Sequence, residues 1–308
     1  MGGCGACQAG EKISHHIMLL KITHRTRYHY SQPVFLEPFT VRLRPRSDAS
    51  QTLRSYSIKI MPEPGGITHC SGLYGNNTET IWFNGLHDNL LIEVRILVET
   101  HRGNPFDFFV TDHAALTLPL VYQADLAGAL GHYLVSEGEH PHLAAFAQEI
   151  MQAVKHETIP FLTELAEQIY RRYEYMLRED GDAWTSEETM KQGKGSCRDF
   201  AMLFIDICRS VGIAARFVSG YCLGDDAANS GDMHAWAEVY LPGAGWRGFD
   251  PSRGLSVNDD YVAVAAGEHP RDAAPTHGSF RGDATSTMDA EISITLMESD
   301  SGTPEQIL

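Results

Sequence analysis

The apolar residues between Cys197 and Val211 recur at spacings of three and four, at positions 197, 200, 201, 204, 207, 208 and 211. This periodicity predicts a helix that is buried along one face. Its ends are marked as well, because Ser196 is a favourable N-cap residue and Gly212 fits a left-handed C-terminal cap. Asp199 lies in the first turn, where a carboxylate complements the helix dipole. The sequence therefore predicts a core helix whose first residue is a cysteine.

That position favours a reactive thiol at Cys197. Unpaired backbone N–H groups and the positive end of the helix dipole stabilise a thiolate relative to a thiol, and the same N–H groups can bind a developing oxyanion. The alternative is a small buried apolar residue, the usual fate of a free cysteine. Cys208 lies about three turns further along the same face, roughly 16 Å away, and is interpreted as a core residue. Cys70 and Cys222 are interpreted as buried strand or loop residues.

A histidine and an aspartate follow this helix on the two strands of a predicted hairpin. Alternation places His234 on the face opposite to a row of alanine, valine and leucine side chains. A Pro-Gly-Ala-Gly turn then sends the chain back, which brings Asp250 towards the His234 end. Either residue alone has an ordinary explanation, a structural histidine or a turn-forming aspartate before proline. Downstream of Cys197, the pair supplies the base and the orienting group that a thiol nucleophile requires.

The first half of the chain has the alternation of strands. Residues 22–30, 56–60 and 91–98 alternate with period two and leave one mostly polar face, and turn clusters at 62–66 and 75–77 separate these segments. Short strands with turns between them predict an antiparallel β-sandwich, which we assign to residues 18–101. No catalytic cluster is found in this domain, so binding or scaffolding is its expected task.

The second half is predicted to be a separate catalytic domain, residues 143–297, joined to the first by an irregular connecting segment, residues 102–142. A helix is expected after Pro160, with apolar residues recurring at spacings of three and four: Phe161, Leu162, Leu165, Ile169, Tyr173 and Met176. Alternation of Ile292, Ile294 and Leu296 predicts a last strand. Residues 1–17 and 298–308 are interpreted as a flexible extension and a flexible tail.

Composition restricts the partners and the location. The formal net charge of −16 over 308 residues argues against a nucleic-acid partner, because phosphate binding needs a basic surface. No apolar run approaches the roughly 20 residues that span a bilayer, so no membrane partner is expected. Six cysteines are too sparse for a disulfide scaffold, which favours a reducing compartment and a cytoplasmic protein.

Cys4 and Cys7 form a C-x-x-C motif with His15 and His16 nearby. Such a motif is either half of a zinc site or a redox pair, or else part of a flexible extension before the first strand. The βαβ context of a redox motif is absent from the sequence, which favours the extension. We therefore expect neither a metal nor a cofactor.

Four ordered motifs resemble the transglutaminase-like superfamily: GSCRDFA from Gly195, GIAARFVSGY from Gly212, HAWAEV from His234 and GWRGFDP from Gly245. The segment ITHRTRYHY, residues 22–30, resembles the β-rich N-terminal region of bacterial members. The similarity extends over most of residues 18–282. It implies an α+β chain, with the β-sandwich followed by a papain-like core in which the nucleophile helix packs on an antiparallel sheet.

The resemblance also implies roles for individual residues. Cys197 would be the nucleophile, His234 the base and Asp250 the group that orients the base. The second oxyanion donor is left open among three upstream residues: Tyr175, Trp184 and Gln192. Three aromatic residues are expected to line an acyl-binding groove: Trp236, Tyr221 and Trp184. The alternative is that they pack within the core, as aromatic residues beside a core more often do.

The superfamily contains cross-linkers, peptidases, deglycosylating amidases and inactive members. The leading expectation here is a cysteine-dependent amide hydrolase, a peptidase or amidase that forms a thioester acyl-enzyme on a peptide or protein substrate. The alternatives are transglutaminase-type acyl transfer to a primary amine and a non-catalytic binding or scaffold protein. An intact Cys197, His234 and Asp250 set argues against the scaffold.

Overall fold

The structure, a computed structural model, describes residues 17–135, 141–178, 181–224 and 233–297. Cys4, Cys7 and the tail 298–308 lie outside the described residues. The first six strands follow one another without a helix: β1 (Met18–Leu36), β2 (Phe39–Val41), β3 (Gln51–Met61), β4 (Gly66–Ser71), β5 (Asn77–Trp82) and β6 (His87–Thr100).

The helices occupy the middle of the chain: α1 (Ala124–Ala129), α2 (Pro141–Ala153), α3 (Thr158–Arg172), α4 (Ser186–Gln192) and α5 (Cys197–Ser210). Short 3₁₀ turns lie at His113–Leu116, Gly131–Leu134 and Pro270–Ala273. The later strands are β7 (Glu174–Tyr175), β8 (Lys194–Gly195), β9 (Ala215–Cys222), β10 (Met233–Leu241), β11 (Gly245–Asp250), β12 (Leu255–Ser256), β13 (Tyr261–Gly267), β14 (Thr276–His277), β15 (Phe280–Arg281) and β16 (Ser286–Met297).

Two antiparallel sheets form the N-terminal sandwich. One has the order β15-β1-β6-β3 with β16 added on β1, and the other has the order β14-β2-β5-β4. The inward residues of the alternating segments, such as Ile22, Ile92 and Val94, are buried, and they share one apolar cluster with Phe39 and Ile81 of the second sheet. The predicted β-sandwich is therefore confirmed.

The second unit packs helices on an antiparallel sheet with the order β12-β11-β10-β9-β13. Helix α5 lies against β10, and one apolar cluster contains Phe204 and Cys208 of the helix with Ala237 and Val239 of the strand. The strand face predicted to carry alanine, valine and leucine thus packs on helix α5. The α+β fold class and this helix-on-sheet core are confirmed.

Local capping accounts for the accuracy of the α5 prediction. The helix begins at Cys197 after the N-cap Ser196, and Gly212 has φ +81° just beyond its end. A Cβ atom at Gly212 would lie 2.2 Å from the carbonyl oxygen of Leu120, so this position requires glycine for packing as well as for backbone conformation.

Three expectations need correction. Helix α3 ends at Arg172, so Tyr173 is its C-cap and Met176 lies beyond it. The segment expected to be an irregular connection contains α1, and α2 already begins at Pro141. The last strand, β16, pairs antiparallel with β1 from Leu19↔Met297 to Tyr30↔Ser286, so it belongs to the N-terminal sandwich and not to the catalytic domain. The domain to which a strand belongs is determined by the strand that it pairs with, and neighbouring positions in the sequence do not identify that partner.

Within the described residues, no helix combines the length and the apolar character needed to cross a membrane.

Candidate active site

The start of α5 is held by one buried carboxylate. Asp199 Oδ2 accepts hydrogen bonds from the backbone N–H of Ser196 at 2.8 Å and from its hydroxyl at 2.7 Å. Oδ1 accepts from the backbone N–H of Trp184 and from Nη2 of Arg178, each at 2.7 Å. Burial disfavours its charge, but these four donors outweigh burial and hold the pKa of Asp199 below its ordinary value. The carboxylate therefore anchors the first turn and joins it to the segment before α4.

The hairpin of β10 and β11 brings the predicted base to the predicted orienting group. The register pairs Ala237 with Phe249, which sets Asp250 beside the first residues of β10. His234 Nε2 lies 2.7 Å from Asp250 Oδ2. Because Nε2 contacts the carboxylate, the other ring nitrogen, Nδ1, is available to the thiol of Cys197, which makes a side-chain hydrogen bond with His234. The structure thus brings all three residues together.

The surroundings of His234 favour its protonated form. Burial disfavours the imidazolium, but the hydrogen bonds and the negative charges of Asp250 and Cys197 outweigh burial and raise the pKa of His234 to about 10. Asp250 is fully buried. Burial disfavours its charge as well, yet the hydrogen bond and charge of His234 hold the pKa of Asp250 below its ordinary value. An imidazole that faces a thiol on one side and a carboxylate on the other is thus present in the structure.

Two residues that the sequence reasoning missed complete the coordination of Asp250. Its Oδ1 accepts from the backbone N–H of Ser252 at 2.9 Å and from the hydroxyl at 2.6 Å. Its Oδ2 also accepts from the hydroxyl of Tyr261 at 2.9 Å. The serine was signalled by its position two residues after Asp250, directly behind the Asp-Pro pair, which is the spacing of an Asx turn. No local signal identifies Tyr261, because it lies on β13, a different strand.

Cys197 and His234 line a cleft of about 260 Å³. The other described residues that line it are Tyr175, Leu177, Arg178, Ser196, Arg198, Cys222, Gly224, Met233 and Arg253. Tyr175 and Leu177 are 47% and 64% exposed, so the cleft is open on their side.

None of the three aromatic residues predicted to line the groove is part of the described lining, and two of them are fully buried elsewhere. Tyr221 is 1% exposed and turns away from Cys222, its neighbour on β9, because successive side chains of a strand point to opposite faces. Its hydroxyl instead contacts Nδ1 of His24 in the N-terminal sandwich at 3.0 Å. Trp236 is also 1% exposed and packs with Val218 and Tyr261 behind His234.

The third aromatic residue, Trp184, is half-buried and lies outside the described lining. Its ring lies under the guanidinium of Arg178, with 4.6 Å between the guanidinium carbon and the ring centroid, and Arg178 does line the cleft. Trp184 therefore supports a wall of the cleft.

The structure distinguishes among the three oxyanion candidates. The parallel pairing of β7 with β8 places Tyr175 opposite Gly195, next to the start of α5, and Tyr175 lines the cleft. Gln192 ends α4, is exposed and is not part of the described lining. Tyr175 is thus the candidate whose side chain shares the cleft with the thiol.

The remaining described cysteines differ in their settings. Cys208 is fully buried, which raises the pKa of its thiol well above the ordinary value, and the prediction of a core residue is confirmed. Cys70 is exposed on β4, so the prediction of a buried residue is wrong. Cys222 is only partly buried at the cleft, where Nη1 of Arg253 lies 2.8 Å from its sulfur. Burial raises the pKa of Cys222 to about 11, so near neutral pH it is a thiol.

Two family models match this chain. Residues 144–251 match the transglutaminase-like superfamily, and residues 20–99 match the bacterial transglutaminase-like N-terminal region. Both halves of the resemblance seen in the sequence are therefore confirmed.

Similar proteins extend over nearly the whole chain. An uncharacterized protein of Mycobacterium tuberculosis is 26% identical over 294 residues, covering 91% of this chain and 93% of the relative. An uncharacterized protein of Mycobacterium leprae is 24% identical, with 90% and 98% covered. The crystal structure of a candidate cysteine protease from Cytophaga hutchinsonii covers 95% of this chain and 94% of its own, with a TM-score of 0.69 and 22% identity, and shows the same fold.

Proposed function

We propose that this chain, which combines a transglutaminase-like core with a bacterial transglutaminase-like N-terminal region, is a cysteine-dependent amide hydrolase, a peptidase or amidase. The observation that carries the proposal is the 2.7 Å contact between His234 Nε2 and Asp250 Oδ2, in a cleft that also contains Cys197 at the first turn of α5. The solved structure with the same fold is itself described as a candidate cysteine protease.

In the first half of the reaction, the thiolate of Cys197 attacks the carbonyl carbon of an amide or peptide bond. The C–O π electrons move to oxygen, which becomes an oxyanion. When the tetrahedral intermediate collapses, the imidazolium of His234 donates its Nδ1 proton to the departing nitrogen. Ammonia or an amine leaves, and the acyl group remains on sulfur as a thioester.

In the second half, water attacks the thioester. Neutral His234 takes a proton from the water, and the sulfur departs as the thiolate, so that a carboxylic acid is released and the thiolate–imidazolium pair is restored. Tyr175 and Leu177 leave the cleft open to solvent, which supplies this water and gives room for a peptide or protein substrate.

Oxyanion stabilisation is assigned to two groups. The first is the backbone N–H of Cys197, which points outward from the first turn of α5 with the positive end of the helix dipole. The second is the hydroxyl of Tyr175, which lies in the same cleft. Donors of this kind act most strongly where water is partly excluded.

The proposed location is the cytoplasm. The described cysteines, Cys70, Cys197, Cys208 and Cys222, are thiols and not disulfides. A nucleophilic thiol that must stay reduced suits a reducing compartment.

The experiment that tests the function supplies glutamine-containing peptides with and without a primary amine. Hydrolysis predicts ammonia or amine release that the added amine leaves unchanged, together with a mass adduct on Cys197 in rapidly quenched samples. Incorporation of the added amine would instead establish acyl transfer. Cys197→Ala should abolish product formation, whereas Cys70→Ser, which removes an exposed thiol on β4 outside the cleft lining, should not. Release that persists in Cys197→Ala would refute the proposal.

A further inference from the structure

Tyr261 donates to the same oxygen of Asp250 that contacts the imidazole. The Tyr261 hydroxyl lies 2.9 Å from Asp250 Oδ2, and His234 Nε2 lies 2.7 Å from that oxygen. Burial and the charge of Asp250 raise the pKa of Tyr261, so its hydroxyl keeps the proton and acts as the donor. The other oxygen of the carboxylate, Oδ1, is held by Ser252. Rotation of the carboxylate would break hydrogen bonds on both of its oxygens.

The ring of Tyr261 also limits the space around the imidazole. Its centroid lies 6.2 Å from that of His234 and 5.4 Å from that of Trp236, which in turn stacks on His234 at 6.4 Å. Tyr261 is 5% exposed, and Trp236 is packed so closely on β9 that a Cβ atom at Gly220 would lie 2.7 Å from its ring. Two rigid rings therefore pack behind the imidazole on the side away from solvent.

We propose that Tyr261 is a positioning residue for the reaction assigned to this cleft: its hydroxyl fixes the carboxylate that orients His234, and its ring, with Trp236, fixes the imidazole. The proposal rests on the proposed function only in supposing that Cys197 and His234 react as a pair. It adds a fourth element, the strand β13, to α5, β10 and β11, which carry the other residues of the site.

The test uses a reagent that needs no substrate. Iodoacetate is an anion, so its reaction with the Cys197 thiolate is favoured by the neighbouring imidazolium and slows when His234 loses its proton. The alkylation rate of Cys197, read by peptide mass over a wide pH range, therefore reports both the position and the protonation of the ring. The charged or titratable groups around the Cys197–His234 pair, in its hydrogen bonds and in the cleft lining, are Tyr175, Arg178, Arg198, Cys222, Asp250, Arg253 and Tyr261.

Tyr261→Phe removes only the hydroxyl. We expect the plateau rate to fall roughly tenfold, because small displacements of a catalytic group are costly. The alkaline limb should move to higher pH, because Oδ2 then has one donor fewer and its charge acts more strongly on the imidazolium. Tyr221→Phe is the matched control. This variant also removes a buried tyrosine hydroxyl, but that hydroxyl contacts His24 of the N-terminal sandwich and not Asp250. Its rate profile should therefore follow the wild type.

A Tyr261→Phe profile that superimposes on the wild type would overturn the inference while leaving the proposed function intact. A wild-type Cys197 that reacts no faster than the exposed Cys70 would instead refute the proposed function. If Tyr261→Phe is too unstable for kinetics, the ¹⁵N shifts of the His234 ring decide the question, measured in both proteins under conditions where both are folded. Unchanged shifts contradict the positioning role, and altered shifts support it.

Discussion

Two histidines that are largely removed from water, each near a tyrosine, have pKa values shifted in opposite directions in the two halves of this molecule. In the N-terminal sandwich, His24 is 2% exposed, its Nδ1 lies 3.0 Å from the hydroxyl of Tyr221, and its Nε2 lies 3.0 Å from that of Thr26. Burial lowers the pKa of His24 to about 4. In the transglutaminase-like unit, His234 has neighbours that raise its pKa to about 10.

The difference comes from charge and not from the depth of burial. Both imidazoles are largely removed from water, and both lie near an aromatic hydroxyl. Only His234 has a carboxylate, Asp250, and a thiol, Cys197, as partners. A buried histidine with neutral partners stays neutral and is structural, whereas one with anionic partners carries a proton that it can donate.

The largest effect is expected when the carboxylate is removed. Asp250→Asn should lower the pKa of His234 towards that of His24 and reduce amide hydrolysis by about 10³–10⁴, because the orienting anion of a catalytic triad contributes an effect of this size. The measurement is kcat/KM on the peptide substrate, with iodoacetate alkylation as a second readout. Asp289→Asn, which removes an exposed carboxylate on β16, is the control. If Asp250→Asn kept a tenth of the wild-type kcat/KM, the charge of Asp250 would not be what distinguishes His234 from His24.

The pH dependence of activity should show the raised pKa of His234 directly. Leaving-group protonation requires the imidazolium, so a pKa raised from 6.5 to about 10 keeps the active form populated well above neutrality. We therefore expect hydrolysis to decline as the pH rises through about 10, and not through 6.5. The measurement is the pH profile of kcat/KM, which reports the pKa values of the free enzyme. An alkaline limb near the ordinary histidine value would show that Asp250 and Cys197 do not act on the ring as described.

The smallest effect concerns stability on the His24 side. The folded-state pKa of about 4 lies below the unfolded value of 6.5, so the unfolded chain binds the proton first. The stabilisation that neutral His24 contributes is fully present above pH 6.5 and is lost as the pH falls towards 4. The free energy of unfolding then changes by at most roughly 1.4 kcal/mol per pH unit. Urea unfolding of the wild type and His24→Gln over this window should give a shallower slope for the variant. Equal slopes would place the acid sensitivity elsewhere.

The parts of the fold that the sequence predicted correctly are those with local determinants. Helix α5 was bounded by its own caps, Ser196 and Gly212, and its buried face by its own periodicity. The hairpin that joins His234 to Asp250 needed only alternation and a short turn. The candidates for nucleophile, base and orienting group, Cys197, His234 and Asp250, could therefore be predicted together.

What the sequence did not show depends on contacts between distant segments. Tyr221 and Trp236 lie within two of the four motifs, and only the packing of other strands over them buries both side chains. Tyr261 reaches Asp250 because β13 pairs with β9, in a register that no local pattern specifies. The strand β16 was found by its alternation, but its partner β1 lies at the opposite end of the described chain.

The pairing of β16 with β1 makes the helical unit an insertion within the sandwich. The chain leaves the first sheet after β6 and returns to it through β15 and β16, both of which pair with β1. Both ends of the inserted unit are thus fastened to one strand. A protease that nicked the segment between β6 and α1 would leave two fragments still joined by the β1–β16 ladder, so they should co-migrate until a denaturant separates them.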